Sequence, residues 1–360
     1  MAVKILAYEH LCSGGLASAP LPLGLAAQGF AMFHTVLDGL QCLGRHTVCV
    51  LHDRRLDPSA FPGQRHVAVG PDEAWSEFDR NLRAADAVIL IAPETGGLLY
   101  TLTRHAERAR RLVLGSSARA ISVAGDKAKV YRALRRAGVP VPRTRVIGPG
   151  SDVRAIAAAL GMPFVVKPAA GAGGEGSIMV TSPEDVQPAV TKVMTGFGTA
   201  GGVAQEYVEG PSASVSLVTD GAHCQVLSLN RQLVETWPGF RYAGGEVPFD
   251  HPERGAACDV ARAACRAIAG LRGYVGVDVI LSAQGPVVVD VNARWTVSAW
   301  ALQRAARANL AAIAVDAILG RGMPGTLRID RRVVFTVDDL AARFRGATAI
   351  RDGELTGEPG

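Results

Sequence analysis

The sequence predicts a protein of mixed class, in which an α/β unit is followed by α+β units. Three observations support this prediction. The chain has 360 residues, more than one ordinary hydrophobic core holds, and this length favours two or three packed units. Strand and helix patterns alternate through the first 115 residues, whereas consecutive strand patterns dominate after residue 201.

The first unit, residues 1–115, is predicted to be a Rossmann-like domain built on a parallel sheet. Apolar runs predict five strands, at 3–8, 47–52, 67–69, 87–92 and 112–114. Helical patterns between them supply the crossovers that parallel strands need, and such helices cover both faces of a sheet. No GxGxxG motif follows the first strand, which argues against a dehydrogenase of this type.

Two further units and a tail are expected after residue 115. Residues 116–200 carry a helical pattern and an apolar strand that runs into a glycine-rich segment, so we expect a small unit with a lid. Residues 201–345 combine consecutive strand patterns with single helices, which is typical of an antiparallel α+β unit. Residues 346–360 are expected to form a flexible tail.

Composition and charge exclude several classes of function. The formal charge of +5 arises from basic residues scattered among acidic ones, without a basic tract beside aromatics, so nucleic-acid binding is not expected. No apolar run approaches the roughly 18 residues that cross a bilayer, and the N-terminal segment carries Lys4 and Glu9. The six cysteines form no CxxC pair, which favours reduced thiols. We therefore expect a cytoplasmic protein that does not bind membranes.

The clearest candidate site is a hairpin predicted from two strand patterns, 276–281 and 287–294, around a Gly-Pro turn. With the turn centred near Gln284, Asp278 lies opposite Asp290, with β-carbons about 5 Å apart. Two carboxylates this close repel each other and lose hydration unless a cation lies between them. Because every candidate ligand is a hard oxygen, the sequence predicts a magnesium site shared with substrate phosphates.

Alternation along the second strand of the hairpin assigns its other side chains to two faces. The polar face is predicted to carry Asp290, Asn292 and Arg294. The opposite face is predicted to carry Val287, Val289 and Val291. Arg294 would supply a fixed charge for a transferring phosphoryl or acyl oxygen. The alternative is a surface hairpin whose polar face simply meets water.

A glycine-rich loop follows the apolar strand at 163–168, which carries Lys167 near its end. Four glycines fall within the six positions 171–176. Such a loop lets backbone N–H groups approach phosphate oxygens and lets the loop open and close as a lid. It is not a Walker A motif, because the lysine precedes the glycines and no GK[ST] follows. A plain hairpin loop would explain the glycines but not a lysine at the end of an apolar strand.

The scarcity of lysine draws attention to two positions. The chain has 33 Arg and only 5 Lys, and two of the lysines fall at Asp126-Lys127 and at Lys167. A compact ammonium group suits a point contact with a phosphate oxygen, where a forked guanidinium fits less well. Both lysines are therefore candidates for phosphate binding, with coincidence as the alternative for either one alone.

The segment 205–210 predicts a strand that leaves the fold through a Gly-Pro turn. An extended segment of this kind can offer backbone C=O and N–H groups to the edge of an adenine. A plain edge strand is the alternative.

Taken in order, these elements, from Asp126-Lys127 to Asp290-x-Asn292-x-Arg294, resemble the signature series of the ATP-grasp superfamily over about residues 116–320. The resemblance implies an ATP-grasp fold preceded by a pre-ATP-grasp domain, with ATP and two Mg²⁺ ions, or Mn²⁺ in their place, as cofactors. ATP would contact Lys127, Lys167, Gly173, Gly174, Glu175, Gly176, Gln205, Glu206, Tyr207, Val208 and Glu209. The metal ions would bind Asp278, Asp290 and Asn292, and Arg294 would steady an acyl phosphate.

Two positions depart from the superfamily pattern. The metal-bridging residue, usually Glu, is Asp290, which shortens the ligand by one methylene. The ribose-binding acid that often follows the Gly-Pro turn is replaced by Ser212, which leaves the ribose contact to Glu209 or to another residue that the sequence does not identify.

A closer resemblance, over the whole chain, is to the tyramine-glutamate ligases of methanofuran biosynthesis. It is carried by Tyr8-Glu9-His10, Ser13-Gly14-Gly15, Ala92-Pro93-Glu94, Gly115-Ser116-Ser117, Leu229-Asn230-Arg231-Gln232 and Phe240-Arg241-Tyr242-Ala243-Gly244-Gly245. The Ala- and Arg-rich composition fits a bacterial version, in which methylofuran carries tyrosine in place of tyramine. The resemblance implies that ATP phosphorylates a glutamate carboxylate and that tyramine or tyrosine then attacks it. Arg241 and Arg294 would face that carboxylate, and Lys167 would hold the phosphates.

Two alternatives stay open at this point. One is another ATP-grasp amino-acid ligase, related to D-alanine–D-alanine ligases or to glutamate-adding enzymes. The other is a protein that binds ATP without turnover, against which the complete acidic set argues. The sequence fixes neither the amine, nor the glutamate carboxylate used, nor whether the chain forms a homodimer.

Overall fold

The computed structural model describes residues 3–171, 174–196, 201–236 and 239–357. The first elements along the chain are β1 (Lys4–Glu9), β2 (Leu21–Pro22), α1 (Leu23–Leu43), β3 (Thr47–Asp53), β4 (Arg65–Val69), α2 (Ala74–Ala84), β5 (Ala87–Ile91), α3 (Leu98–Arg108), β6 (Leu112–Val113) and α4 (Ala118–Ala124). Five of the strands form a parallel sheet in the order β4-β3-β1-β5-β6. The predicted N-terminal parallel sheet is therefore confirmed.

Helices cover both faces of this sheet because side chains alternate along each strand. On β1, Ile5 and Ala7 belong to the core formed with α1, whereas Leu6 and Tyr8 belong to the core formed with α2 and α3. The chain adds β3 and β4 on one side of β1, and then β5 and β6 on the other. The point between β1 and β5 is thus a topological switch point, where a crevice opens beyond the carboxyl ends of the two strands.

The second unit is a small antiparallel sheet with helices on one side. Its elements are α5 (Lys127–Arg136), β7 (Thr144–Ile147), α6 (Val153–Leu160), β8 (Phe164–Pro168), β9 (Ile178–Val180), α7 (Val186–Gly196) and β10 (Gly202–Glu206). The strand order is β7-β10-β8-β9. Phe164 and Val166 of β8 face the core that α6 and α7 complete.

The third unit is a six-stranded antiparallel sheet in the order β15-β14-β11-β12-β13-β16. Its elements are β11 (Ser212–Thr219), β12 (Cys224–Glu235), β13 (Arg241–Val247), α8 (Arg254–Ala267), β14 (Gly273–Ser282), β15 (Gly285–Asn292), α9 (Ser298–Ala306), α10 (Leu310–Ile318), β16 (Val333–Thr336), α11 (Val337–Thr348) and β17 (Leu355–Thr356). One face packs against α8, and the other contributes to the core that also contains α1, α9, α10 and α11. Within the described residues, no helix combines the length and apolarity that crossing a bilayer requires.

A β-bulge corrects the predicted faces of the hairpin β14–β15. Asp278 pairs with Asp290 as predicted, but the next pair joins Val279 to Val288 and leaves Val289 as the extra residue. A bulge puts two residues opposite one, so the alternation changes phase there. Val288 and Val291 are consequently the buried valines, and the prediction that Val287, Val289 and Val291 share one face is wrong.

The expected flexible tail at 346–360 is wrong over its described part, which ends at residue 357. Its first three residues complete α11, and Thr348 is fully buried. Ile350 belongs to the core around α1, and β17 pairs with β2 in a two-stranded parallel sheet. The tail is ordered because these apolar contacts tie it to the N-terminal unit.

Candidate active site

Two carboxylates face each other on neighbouring strands of the six-stranded sheet. Asp278 of β14 pairs directly with Asp290 of β15. Asp278 accepts hydrogen bonds from the side-chain amides of Gln232 and Asn292, each at 3.0 Å. Burial, and then the charge of Asp290, raise the pKa of Asp278 to about 7. A nearby cation would stabilise the ionised form of Asp278, because its charge would offset both the burial and the repulsion from Asp290.

Lys127 supplies one cation of the cluster. It is the first residue of α5, and the side chain of Asp126 caps this helix by accepting from the backbone N–H groups of the next turn. The cap fixes the first helical turn and so directs Lys127 toward the sheet. Its Nζ lies 3.0 Å from Asp290 Oδ2 and 3.2 Å from the carbonyl oxygen of Gly171. The ammonium therefore connects an acidic residue to the start of the glycine-rich loop.

Lys167 supplies a second, partly buried ammonium. It lies on β8, next to β10, and its Nζ donates to Gln205 Oε1 at 2.9 Å. Gln205 in turn donates to Thr144 Oγ1 at 3.1 Å, which fixes the amide. Burial, and then the charge of Lys127, lower the pKa of Lys167 to about 8. Among the described residues Lys167 has an amide but no carboxylate as partner, so a phosphate oxygen would stabilise its charge.

The glycine-rich loop joins β8 to β9 of the small sheet and approaches the six-stranded sheet at Gly174. Gly173 lies outside the described residues. Gly174 has φ +85°, and a β-carbon there would lie 2.9 Å from the carbonyl oxygen of Phe240. Glu175 is exposed, and Gly176 has φ +70°. Only glycine combines the positive φ with this close approach, so the loop can lie directly over the segment that leads into β13.

The predicted adenine segment lies partly inside and partly beyond β10. Gln205 and Glu206 end the strand, and Glu206 forms an ion pair with Arg143. Tyr207 and Val208 follow the strand end. Tyr207 is 38% exposed, and Glu209 is also exposed. The backbone of Gln205 pairs with β7 and β8, and the N–H groups of Glu206 and Tyr207 donate to the carbonyl oxygens of Arg143 and Pro163. β10 is therefore an interior strand, and the carboxylate of Glu206 is held by its arginine.

Arg294 lies just beyond β15 and joins the hairpin to the N-terminal sheet. Its guanidinium forms two hydrogen bonds with Glu94, at 2.8 and 2.9 Å, and a third with the carbonyl oxygen of Trp295. The exposed fractions of the Arg294 and Glu94 side chains are 12% and 8%. Glu94 follows β5, and the sequence analysis named it in a motif but not as a site residue.

Glu9 completes a charged group at the switch point of the parallel sheet. It ends β1, is 2% exposed and accepts from the backbone N–H of Cys12 at 2.7 Å. A β-carbon on Gly29 would lie 2.6 Å from its carboxylate, so the glycine makes room for it. Burial raises the pKa of Glu9 to about 7, and the charge of Arg294 opposes this increase. Glu9 and Glu94 come at the ends of β1 and β5, so the strand order would have predicted them as site residues at the switch point. Periodicity along the chain does not give that order.

Arg241 lies at the first position of β13, separate from this buried group. It is about half exposed, and its guanidinium donates to Glu235 at 2.8 and 3.0 Å. The next residue, Tyr242, is partly buried, and burial followed by the charge of Asp278 raises its pKa. Arg241 therefore lies on β13, which β11 and β12 separate from the strand of Asp278, and it pairs with Glu235.

The donor set fits a divalent cation that takes most of its ligands from phosphates and water. In the parts of the chain that the structure describes, no three His, Cys, Asp or Glu side chains gather as a metal site would require. Asp278 and Asp290 supply carboxylates, and Asn292 uses its amide nitrogen toward Asp278, which leaves its oxygen for a metal. Mg²⁺ is typically bound by one or two carboxylates together with substrate phosphates, as this set allows.

Two family models match the chain. The pre ATP-grasp 3 domain matches residues 46–121, and the ATP-grasp domain matches residues 124–298. Together they cover more than two thirds of the chain and meet at the end of α4.

Relatives and a solved structure agree with these matches. Tyramine–L-glutamate ligase from Methanocaldococcus fervens is 29% identical over 303 residues, which cover 83% of this chain and 89% of the relative. The ligase of the same name from Methanocaldococcus jannaschii is 32% identical over 218 residues, 61% of this chain and 58% of the relative. The crystal structure of an ATP-grasp superfamily candidate from Archaeoglobus fulgidus has a TM-score of 0.68 and 29% identity, covering 92% of this chain and 91% of the other.

The matched models, the shared fold and the convergence of buried lysines and carboxylates lead to one conclusion. This chain belongs to the ATP-grasp superfamily of ATP-dependent ligases.

Proposed function

We propose that this ADP-forming ligase joins glutamate to tyramine or tyrosine through an acyl phosphate, as a step of methylofuran biosynthesis. The observation that carries the proposal is the meeting of ammonium and carboxylate groups in one place. Lys127 lies 3.0 Å from Asp290, which faces Asp278 across one pair of strands. The similarity to two tyramine–L-glutamate ligases supports the choice of substrates.

The nucleotide would lie between the small sheet and the six-stranded sheet. Lys127 and Lys167 would contact its phosphates as point charges, and residues 174–176 would cover them with backbone N–H groups. The backbone of 205–208 would hold adenine, and Glu209 would hold the ribose. When bound, Mg²⁺ neutralises charge on the terminal phosphates, and Mn²⁺ suits the same oxygen donors.

The reaction needs positioning and charge stabilisation rather than a side-chain nucleophile. A carboxylate oxygen of glutamate attacks the γ-phosphorus of ATP, and the bond to the ADP oxygen breaks. The amine nitrogen then attacks the acyl carbon, the carbon–oxygen bond to phosphate breaks, and the nitrogen loses a proton. Arg294 would stabilise negative charge on the acyl oxygen, and Arg241 would attract the incoming carboxylate from the edge of the site.

Product analysis by mass spectrometry tests the proposal. The protein is incubated with ATP, Mg²⁺, glutamate and either tyramine or tyrosine, with each component omitted in turn. We expect the corresponding amide together with equal amounts of ADP and phosphate. ADP formation without an amide of glutamate would contradict the substrate assignment.

The two alternatives predict different results in the same reaction. Another amino-acid ligase would release ADP with a different pair in a panel of acids and amines, including D-alanine with itself. A protein that only binds ATP would retain the nucleotide and show no ADP formation that depends on an amine.

A further inference from the structure

A cavity of about 410 Å³ lies between the N-terminal unit and the ATP-binding units. One wall comes from the turn before α3 and from its first residues, including Tyr100. The opposite wall comes from Ile121 and the α4–α5 corner, and from Ala169 and Ala170 after β8. Glu94 lies at the inner end. The volume falls within the range of about 300 to 1,000 Å³ that is common for small-molecule sites.

The cavity adjoins the reacting groups through two of its own residues. Glu94, which lines it, is the ion-pair partner of Arg294. The carbonyl oxygen of Ala169 accepts from the backbone N–H of Lys127 at 2.8 Å, so this wall is continuous with the phosphate-binding lysine.

The lining combines apolar and aromatic groups with three charged ones, Glu94, Asp126 and Lys129. Asp126 and Lys129 pair with each other at 3.4 Å, which leaves Glu94 as the carboxylate with no cation from the lining beside it. Ile121, Ala169 and Ala170 are apolar, and Tyr100 presents an aromatic ring. Arg104 holds that ring in place, because it donates to the Tyr100 hydroxyl at 2.6 Å and its guanidinium lies 5.7 Å from the ring centroid. Aromatic rings pair favourably in stacked or edge-to-face arrangements, so the wall suits an aromatic ligand.

Glu94 suits an amino group. A carboxylate has about four acceptor positions, and the two hydrogen bonds from Arg294 use only two of them. An ammonium or amine in the cavity can therefore donate to Glu94 while the ion pair stays intact.

We propose that this cavity binds the amine substrate, with an aromatic body against Tyr100 and the amino group at Glu94. This inference rests on the proposed function, and it adds where the nucleophile binds and which chemistry selects it. Aromatic primary amines match both ends of the cavity, whereas amines without a ring match only Glu94.

Filling or widening the cavity tests the inference. Ser122→Phe fills it from α4, and Tyr100→Ala removes the aromatic wall. Ser76→Phe on α2 is the matched control, because both serines donate to a carbonyl three residues earlier at 3.0 Å and Ser76 lies on the exposed surface outside the cavity. We expect the KM for tyramine or tyrosine to rise at least tenfold in S122F and Y100A, with no change in S76F.

Hydroxylamine separates the amine site from the rest of the reaction. This small nucleophile traps the acyl phosphate as glutamyl hydroxamate without needing the cavity, so hydroxamate formation should continue in S122F and Y100A. An unchanged amine KM in both variants would overturn the inference. An equal loss of hydroxamate would also overturn it, because the wall would then support the ATP or acyl site.

A direct binding measurement tests the amine site even if the enzyme uses an acid other than glutamate. Tyramine binding is measured by calorimetry with the Mg²⁺–ADP form of wild type and S122F. Binding to wild type that weakens at least tenfold in S122F supports the cavity even if glutamate proves to be the wrong acid. Equal binding to both proteins, or to neither, contradicts it.

Discussion

Arg294 and Glu94, separated by 200 residues in the chain, form a buried ion pair with hydrogen bonds of 2.8 and 2.9 Å. The pair joins the residue after the acidic hairpin to the residue after β5. It therefore fixes the N-terminal sheet relative to the site in which the two carboxylates and the two lysines meet. Removing one partner leaves the other charge buried without compensation.

Glu94→Ala should lower the free energy of unfolding by about 3 to 5 kcal/mol, because the Arg294 guanidinium stays buried. Glu94→Gln should cost less, since an amide oxygen still accepts one hydrogen bond from the guanidinium. Urea denaturation of the three proteins measures both differences.

A surface ion pair provides the control for this measurement. Asp259 lies 2.8 Å from Arg262, and its side chain is 76% exposed. Asp259→Ala should change the free energy of unfolding by less than about 1 kcal/mol, as is usual for exposed pairs. If Glu94→Ala and Asp259→Ala lowered the free energy of unfolding by similar amounts, burial of the ion pair would not determine how much its loss destabilises the protein.

The closeness of Asp278 and Asp290 could be predicted from the sequence, but the turn pairs Ser282 with Gly285 and alone would place Val289 opposite Asp278. The bulge at Val289 could not be predicted, since valine is common in regular strands and nothing in its type marks an insertion. The pairing of Arg294 with Glu94 was missed for another reason. Contacts between units depend on strand order, and periodicity along the chain carries no information about that order.

The ordered C-terminal segment shows the same limit. Gly346 and the glycines near the chain end favoured a tail by composition. Ile350 nevertheless packs into the core around α1, and β17 finds a parallel partner in β2, more than 330 residues earlier. A two-residue strand has no pattern of its own, so only the packed structure reveals it.

Asp290→Ala should reduce ADP formation by about 100-fold or more while the protein stays folded, because the variant loses a carboxylate that would hold the metal against the phosphates. Lys127 keeps its second contact, at 3.2 Å from the carbonyl of Gly171, so the loss of the ion pair is partly compensated. Coupled ADP assays and circular dichroism give the two readouts. Wild-type turnover in a folded variant would exclude a metal role for Asp290.

Lys167→Met should raise the KM for ATP by about tenfold or more, since one charge-assisted contact with a phosphate is worth at least about 1.4 kcal/mol. Methionine retains much of the volume and removes only the ammonium. Lys192→Met on the exposed side of α7 is the matched control and should leave the KM unchanged. Equal KM values for wild type and K167M would remove Lys167 from the nucleotide site.

The buried carboxylate of Glu9 predicts how stability depends on pH. Its pKa is about 7 in the folded protein, against an ordinary value of 4.5, so folding favours the protonated form. That contribution to stability is fully present below pH 4.5 and is lost as the pH rises through 7, at up to about 1.4 kcal/mol per pH unit.

Glu9→Gln keeps an acceptor for the Cys12 N–H but cannot ionise. We therefore expect the free energy of unfolding to fall by about 3 kcal/mol more in wild type than in E9Q between pH 4.5 and 7.5. Urea denaturation of both metal-free proteins across this range measures the difference, and parallel pH profiles would mean that Glu9 does not titrate there.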